Sequence, residues 1–159
     1  MTASSDPARP NWADATAPDL DTFAQLAHEA RDALPAPFAE AAREVLLRIE
    51  DFAPDDMLAE MEIDDAFGLT GLYDGIPLTE RSVMHQLERP DTIWLFRRPI
   101  LDEWAERGNV TLGALIGHVF VHELAHHFGW SDARSAEIDL RKRGRRYAMT
   151  RNISSAGIR

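Results

Sequence analysis

Residues 111–129 have the sequence TLGALIGHVFVHELAHHFG, and this stretch decides the fold. Its composition predicts one long, largely apolar helix. Thr111 is placed to cap the N-terminus, because its hydroxyl can accept a hydrogen bond from an early backbone N–H. Gly129 follows the last helical residue, where glycine commonly ends a helix and lets the chain turn sharply. We therefore expect a central helix from which the rest of the domain can be located.

Within this helix, His122 and His126 are four residues apart. Four residues advance an α-helix by about 400°, so both imidazoles lie on one face and can bind the same ion. Glu123 points about 100° away from His122, which removes it from the ligand set but leaves it near a metal-bound water. This is the H-E-x-x-H pattern of zinc peptidases.

A third ligand is predicted at Asp132, six residues after His126. A sharp turn at Gly129 can return its carboxylate to the metal, and the extended pattern H-E-x-x-H-x-x-G-x-x-D has the layout of the metzincin motif with Asp in place of the third His. Asp132 could instead cap a helix that follows it. In that case Glu137 or Asp139 is the substitute ligand.

The chain has no cysteine, so a metal must be held by histidines and carboxylates, and thiol catalysis is excluded. Two neutral imidazoles and one carboxylate suit a tetrahedral Zn²⁺ with one position open for water. The prediction is a zinc site at His122, His126 and Asp132. Glu123 is the predicted catalytic general base, taking the proton of the water and passing it to the leaving amine.

Three other residues are candidates for a role at this site. His118 lies one turn before His122, and we interpret it as a buried or half-exposed structural histidine rather than a group beside the substrate. His127 follows a predicted ligand directly and faces elsewhere, which also favours a structural role. Met149 lies in an Arg-rich segment, which argues against the role of the methionine beneath the metal in metzincins.

Apolar spacing and the positions of Pro and Gly predict further helices and three strands before the motif helix. The predicted helices cover residues 18–34 and 38–44, one or two turns at 57–61, and a run from Pro99 to about residue 107. The predicted strands cover residues 45–52, 67–73 and 92–96.

Charge and composition divide the chain. The net charge is −10, but all 27 acidic residues lie in residues 1–140, so this part carries −17 and residues 141–159 carry +7. We expect a disordered leader at 1–16, a domain with an N-terminal helix at 17–140, and a basic, flexible tail at 141–159. A body with this much negative charge does not favour binding to nucleic acid. The tail is the one candidate for it, although such a tail more often is solvated or folds onto its acidic body.

The chain has no apolar stretch of about 18 to 20 residues, as a membrane-spanning helix requires. Its N-terminus has neither the basic start nor the apolar region of a secretory signal. Together with the absence of cysteine, these features predict a cytoplasmic protein without a membrane partner.

Three stretches carry a resemblance to a known family. They are Gly71-Leu-Tyr-Asp-Gly75, Leu95-Phe-Arg-Arg-Pro-Ile100, and His122-Glu-Leu-Ala-His-His-Phe-Gly129 followed by Ser131-Asp132. Over about residues 38–133 the chain resembles the bacterial zincin-like metallopeptidases described as minimal metalloprotease domains. The resemblance implies a compact α+β fold, with a small mixed sheet packed against a central H-E-x-x-H helix, and it supports Asp132 as third ligand. The N-terminal helix and the basic tail lie outside the shared region.

Two functions are compatible with these features. The first is a zinc-dependent metallopeptidase that hydrolyses a peptide or protein substrate; the second is a catalytically silent, metal-stabilised protein-interaction module. For the first, strand 67–73 is a candidate edge along which an extended peptide could add as a strand. For such a peptide Tyr73 is a candidate donor to the oxyanion; the alternative is a tyrosine of the core or surface.

Overall fold

The computed structural model describes residues 11–75 and 90–129, and the backbone of 146–150. Over these ranges the chain forms five α-helices, four strands and two short 3₁₀ turns. The helices are α1 (Leu20–Asp32), α2 (Ala36–Ala42), α3 (Asp55–Glu60), α4 (Arg97–Arg107) and α5 (Leu112–His127). The strands are β1 (Leu46–Glu50), β2 (Leu69–Asp74), β3 (Thr92–Phe96) and β4 (Arg146–Thr150); the 3₁₀ turns are Trp12–Asp14 and Ala66–Gly68. The predicted α+β class is confirmed.

The four strands form one mixed sheet in the order β1-β3-β2-β4. Strand β1 runs parallel to β3, and β2 runs antiparallel to both β3 and β4. The prediction that β2 is an exposed edge is therefore wrong. Gly71, near the middle of β2, lies opposite Leu95 on one side and Met149 on the other.

Strand β4 lies in the segment for which a flexible tail was expected, and that expectation is wrong for residues 146–150. The arginines around it suggest a solvated arm, but Tyr147 and Thr150 favour extended structure. Pairing with β4 also satisfies the backbone polar groups along the second side of β2, which an open edge would leave to water. Of the expected disordered leader, residues 1–10 lie outside the described ranges, and the exposed Trp12 belongs to the first 3₁₀ turn.

Helix α5 begins and ends where the sequence predicts. The Thr111 side chain accepts a hydrogen bond from the Ala114 backbone N–H at 3.2 Å. At the other end Gly129 has φ 73°, a left-handed conformation that favours glycine, and its N–H donates to the His126 carbonyl at 3.0 Å. No helix in the described part of the chain is long and apolar enough to cross a membrane.

The two faces of the sheet are covered by separate apolar clusters, because successive side chains of a strand alternate between faces. Helices α1 and α5 cover one face, where their side chains pack with Tyr73, Ile93 and Leu95. Helix α3 covers the other, where Met57 and Leu58 join the cluster that contains strand residues Leu69, Leu72 and Phe96.

Helix α1, the predicted additional N-terminal helix, is part of the main core. Phe23 and Ala27 have no solvent exposure. A Cβ added at Gly117 of α5 would lie only 3.3 Å from the Cβ of Ala30, so the two helices approach closely. The segment before α1 is also held, since Arg97 at the start of α4 donates to the Pro18 carbonyl at 3.0 Å.

We predict that Phe23→Ala lowers the free energy of unfolding by about 3–5 kcal/mol, because it empties a fully buried site between α1 and α5. Leu20→Ala, in the same helix but 38% exposed, is the matched control and should cost less than about 1 kcal/mol. Urea unfolding of both variants measures the difference. Equal losses would show that α1 is peripheral to the core.

Candidate metal centre

The rings of His122 and His126 lie side by side on α5. Their centroids are 5.3 Å apart and their planes cross at 79°. Zinc–nitrogen bonds of about 2.0–2.1 Å, extended to the ring centres and opened to a tetrahedral angle, place two ring centres about 5 Å apart. The spacing and chemistry of this pair therefore suit two ligands of one ion.

His118 continues the row one turn earlier, with its ring centroid 6.5 Å from that of His122. The expectation of a buried or half-exposed residue is wrong, because His118 is exposed. It lies on the N-terminal half of α5. Because the 6.5 Å between His118 and His122 is wider than the 5.3 Å between His122 and His126, we do not count His118 in the ligand pair.

Burial determines the protonation of His126. The side chain is almost fully buried, and this desolvation, followed by the proximity of His122, lowers the pKa of His126 to about 4. The imidazole is therefore neutral at physiological pH. A neutral imidazole has the free lone pair that metal binding requires.

Glu123 is fully buried beside β2. The close approach depends on Gly71, because a Cβ there would lie 2.7 Å from Val119 Cγ1 and 3.4 Å from Glu123 Cγ. The sequence alone assigned no role at the site to this glycine of the predicted strand 67–73. In the structure it is the position at which the backbone of β2 passes directly against the helix.

The predicted third ligand, Asp132, lies outside the described residues, as do Glu137 and Asp139. Among residues 11–75 and 90–129, no three His, Asp or Glu side chains are arranged to hold a metal ion. The described part of the site thus brings together His122, His126 and Glu123, and Asp132 stays a prediction.

Behind the helix lies a buried polar cluster formed by Tyr73, Asp91 and His127. The Tyr73 hydroxyl donates to Asp91 Oδ2 at 2.5 Å, and His127 Nδ1 lies 2.8 Å from the same oxygen. His127 faces away from the His122–His126 pair, as expected for a structural residue. Because Tyr73 is fully buried and bonded to Asp91, it favours the core interpretation over donation to an oxyanion. Sequence reasoning missed Asp91 entirely, since its partners are distant in the chain.

A model of the zincin-like metallopeptidase family matches residues 42–142. The match covers more than half of the chain, which therefore belongs to the zincin-like metallopeptidase family. No curated protein matches the chain. The matched region includes the H-E-x-x-H helix and all three candidates for the third ligand, whereas helix α1 precedes it and β4 follows it.

The contact at Gly71 generates a test of the site's packing. Gly71→Ala should lower the free energy of unfolding by about 1–3 kcal/mol, because the added methyl overlaps a β-branched side chain that is stiff in a helix. Gly68→Ala is the control, since a Cβ there meets nothing closer than Ile63 Cγ2 at 3.9 Å.

Removing the obstructing atom should relieve the Gly71→Ala defect. In Val119→Ala the Cγ1 is absent, so Gly71→Ala combined with Val119→Ala should be less destabilised than the sum of the two single variants. Thermal and urea unfolding of the four proteins measure this coupling. Strict additivity would mean that the methyl acts on something other than Val119.

Proposed function

We propose that the chain is a zinc-dependent metallopeptidase that hydrolyses a peptide or protein substrate in the cytoplasm. In this proposal His122, His126 and Asp132 hold the zinc, and Glu123 is the general base. The observation that carries the proposal is the neighbouring imidazole pair, 5.3 Å between ring centroids, with a buried glutamate next to it on the same helix. Membership in the metallopeptidase family supports the same chemistry.

Zinc bound here would supply a water with a pKa of about 7 and would polarise the scissile carbonyl. The chain's own residues do the rest. The carboxylate of Glu123 accepts the proton of the attacking water and later delivers it to the leaving amine nitrogen. Gly71 allows α5 to lie close against β2, and Glu123 is buried at this contact, next to His122 in the chain.

The sheet constrains how a peptide could approach. Both sides of β2 are already paired, so a peptide that adds to β2 must displace β4. The outer strands of the described sheet are β1 and β4. Nucleic acid has no part in this proposal: a body with net charge −17 repels it, and the basic residues 141–159 are the only candidate.

The base assignment is tested by Glu123→Gln. We expect this variant to retain zinc and to lose hydrolysis by a factor of about 10²–10⁴, because the amide cannot accept the proton. Metal analysis and cleavage profiling over a diverse peptide library measure the two properties separately. Cleavage by Glu123→Gln at the parent's rate would refute the role of this residue.

The same experiment distinguishes the two functions. A parent protein that carries a full complement of zinc and cleaves no peptide in the library would favour the catalytically silent, metal-stabilised interaction module. A parent that cleaves while Glu123→Gln does not supports the peptidase.

The ligand assignment is tested by alanine substitutions. His126→Ala and Asp132→Ala should each reduce zinc content well below the parent's value of about one per chain, because three protein ligands hold a zinc of this kind. The control is His118→Ala, an exposed histidine of the same helix, which should keep its zinc. If Asp132→Ala keeps zinc and either Glu137→Ala or Asp139→Ala loses it, the third ligand is the residue whose substitution removes the zinc.

A further inference from the structure

The buried cluster of Tyr73, Asp91 and His127 joins three parts of the fold. Tyr73 lies near the end of β2, Asp91 immediately precedes β3, and His127 is the last residue of α5. The backbone carbonyl of Asp91 also accepts a hydrogen bond from Leu46 N–H at 2.9 Å, which attaches the start of β1. One aspartate therefore fixes the end of the motif helix to the sheet.

The donors of the cluster follow from the chemistry of the carboxylate that its members share. A carboxylate oxygen only accepts, so the Tyr73 hydroxyl and the His127 Nδ1–H both donate to Oδ2 of Asp91. The two donor atoms are themselves 3.1 Å apart, which packs the phenol and the imidazole together. Hydrogen bonds to a carboxylate in a buried setting are stronger than neutral ones, so the ring of His127 has one preferred orientation.

The cluster is closed to substrate. Tyr73 is 0% exposed, His127 3% and Asp91 8%. Side chains as buried as these do not contact a peptide substrate. They can, however, hold α5 in position.

Gly75 is part of the same arrangement. A Cβ at this position would lie 2.5 Å from both Cγ and Oδ1 of Asp91 and 2.8 Å from the Tyr73 hydroxyl. No real side chain fits there without moving the carboxylate. Gly75, which directly follows β2, thus makes room for Asp91.

We propose that Asp91, with Tyr73 and Gly75, positions the last turn of α5 through His127 and thereby sets the metal affinity of the site. His127 is joined directly to the proposed ligand His126, whose carbonyl accepts the hydrogen bond from the Gly129 N–H. Rotation or fraying of this turn moves His126 relative to His122. The inference rests on the proposed metal site and assigns the cluster a positioning role, not a catalytic one.

The test compares the zinc affinities of full-length variants by competition with a chelator. Asp91→Asn replaces one carboxylate oxygen with a donor, and Gly75→Ala displaces the carboxylate without changing any polar group of the cluster. Both should bind zinc about tenfold more weakly than the parent, the lower end of the effect seen when groups that orient a metal ligand are removed. The absorption spectrum of the Co²⁺-substituted variants should also differ from the parent's, since it reports ligand geometry.

Two controls separate positioning from loss of stability. Ile116→Val removes a methylene from the fully buried core of the same helix, and Gly68→Ala adds a methyl where there is space. Both should keep the parent's zinc affinity and Co²⁺ spectrum, even though Ile116→Val lowers the melting temperature. If Asp91→Asn does not fold, Tyr73→Phe, which removes only the hydroxyl, should still weaken zinc binding.

The outcomes are distinct. Zinc affinity and Co²⁺ spectra unchanged in Asp91→Asn, Gly75→Ala and Tyr73→Phe, in a parent that binds zinc, would overturn the positioning role and leave the metal site intact. A parent that binds no zinc would instead overturn the proposed function itself, and this inference with it.

Discussion

The contact between α5 and β2 at Gly71 is the constraint on which the rest of the site depends. The helix can lie against the strand only because residue 71 has no side chain; even a methyl would overlap Val119. This short distance buries Glu123 beside the sheet, next in sequence to His122 of the imidazole pair. The glycine therefore serves both the packing of the core at Val119 and the burial of Glu123.

Burial of polar groups on α5 opposes stability unless each group is neutral or hydrogen-bonded. The structure meets this requirement in different ways at His126 and His127. His126 is neutral, because burial lowers its pKa to about 4. His127 is bonded to Asp91, which in turn accepts from Tyr73. A helix end that carries buried polar side chains is less suited to a core than a helix end that carries apolar ones. Polar side chains in a core are expected where function and stability compete.

Local signals predicted the elements well, and long-range partners explain what was missed. Strand β3 was predicted at its observed bounds, and the cap at Thr111 and the stop at Gly129 were predicted correctly, because these signals lie within a few residues of the feature that they determine. The hydrogen bonds of Asp91 reach 18 residues back to Tyr73 and 36 forward to His127. No periodicity or spacing reveals such pairs. The same holds for β4, whose pairing with β2 bridges more than seventy residues of chain.

The motif helix is held at both ends by different means. Its N-terminal half packs against α1, where Gly117 lies close to Ala30. Its C-terminal half is fixed to the sheet by the contact at Gly71 and by the bond from His127 to Asp91. Two imidazoles four residues apart bind one ion well only if the helix between them neither bends nor frays. The region matched by the family begins after α1, yet this chain uses α1 to bury the first half of that helix. The precision of the site is therefore a property of the whole core and not of the H-E-x-x-H sequence alone.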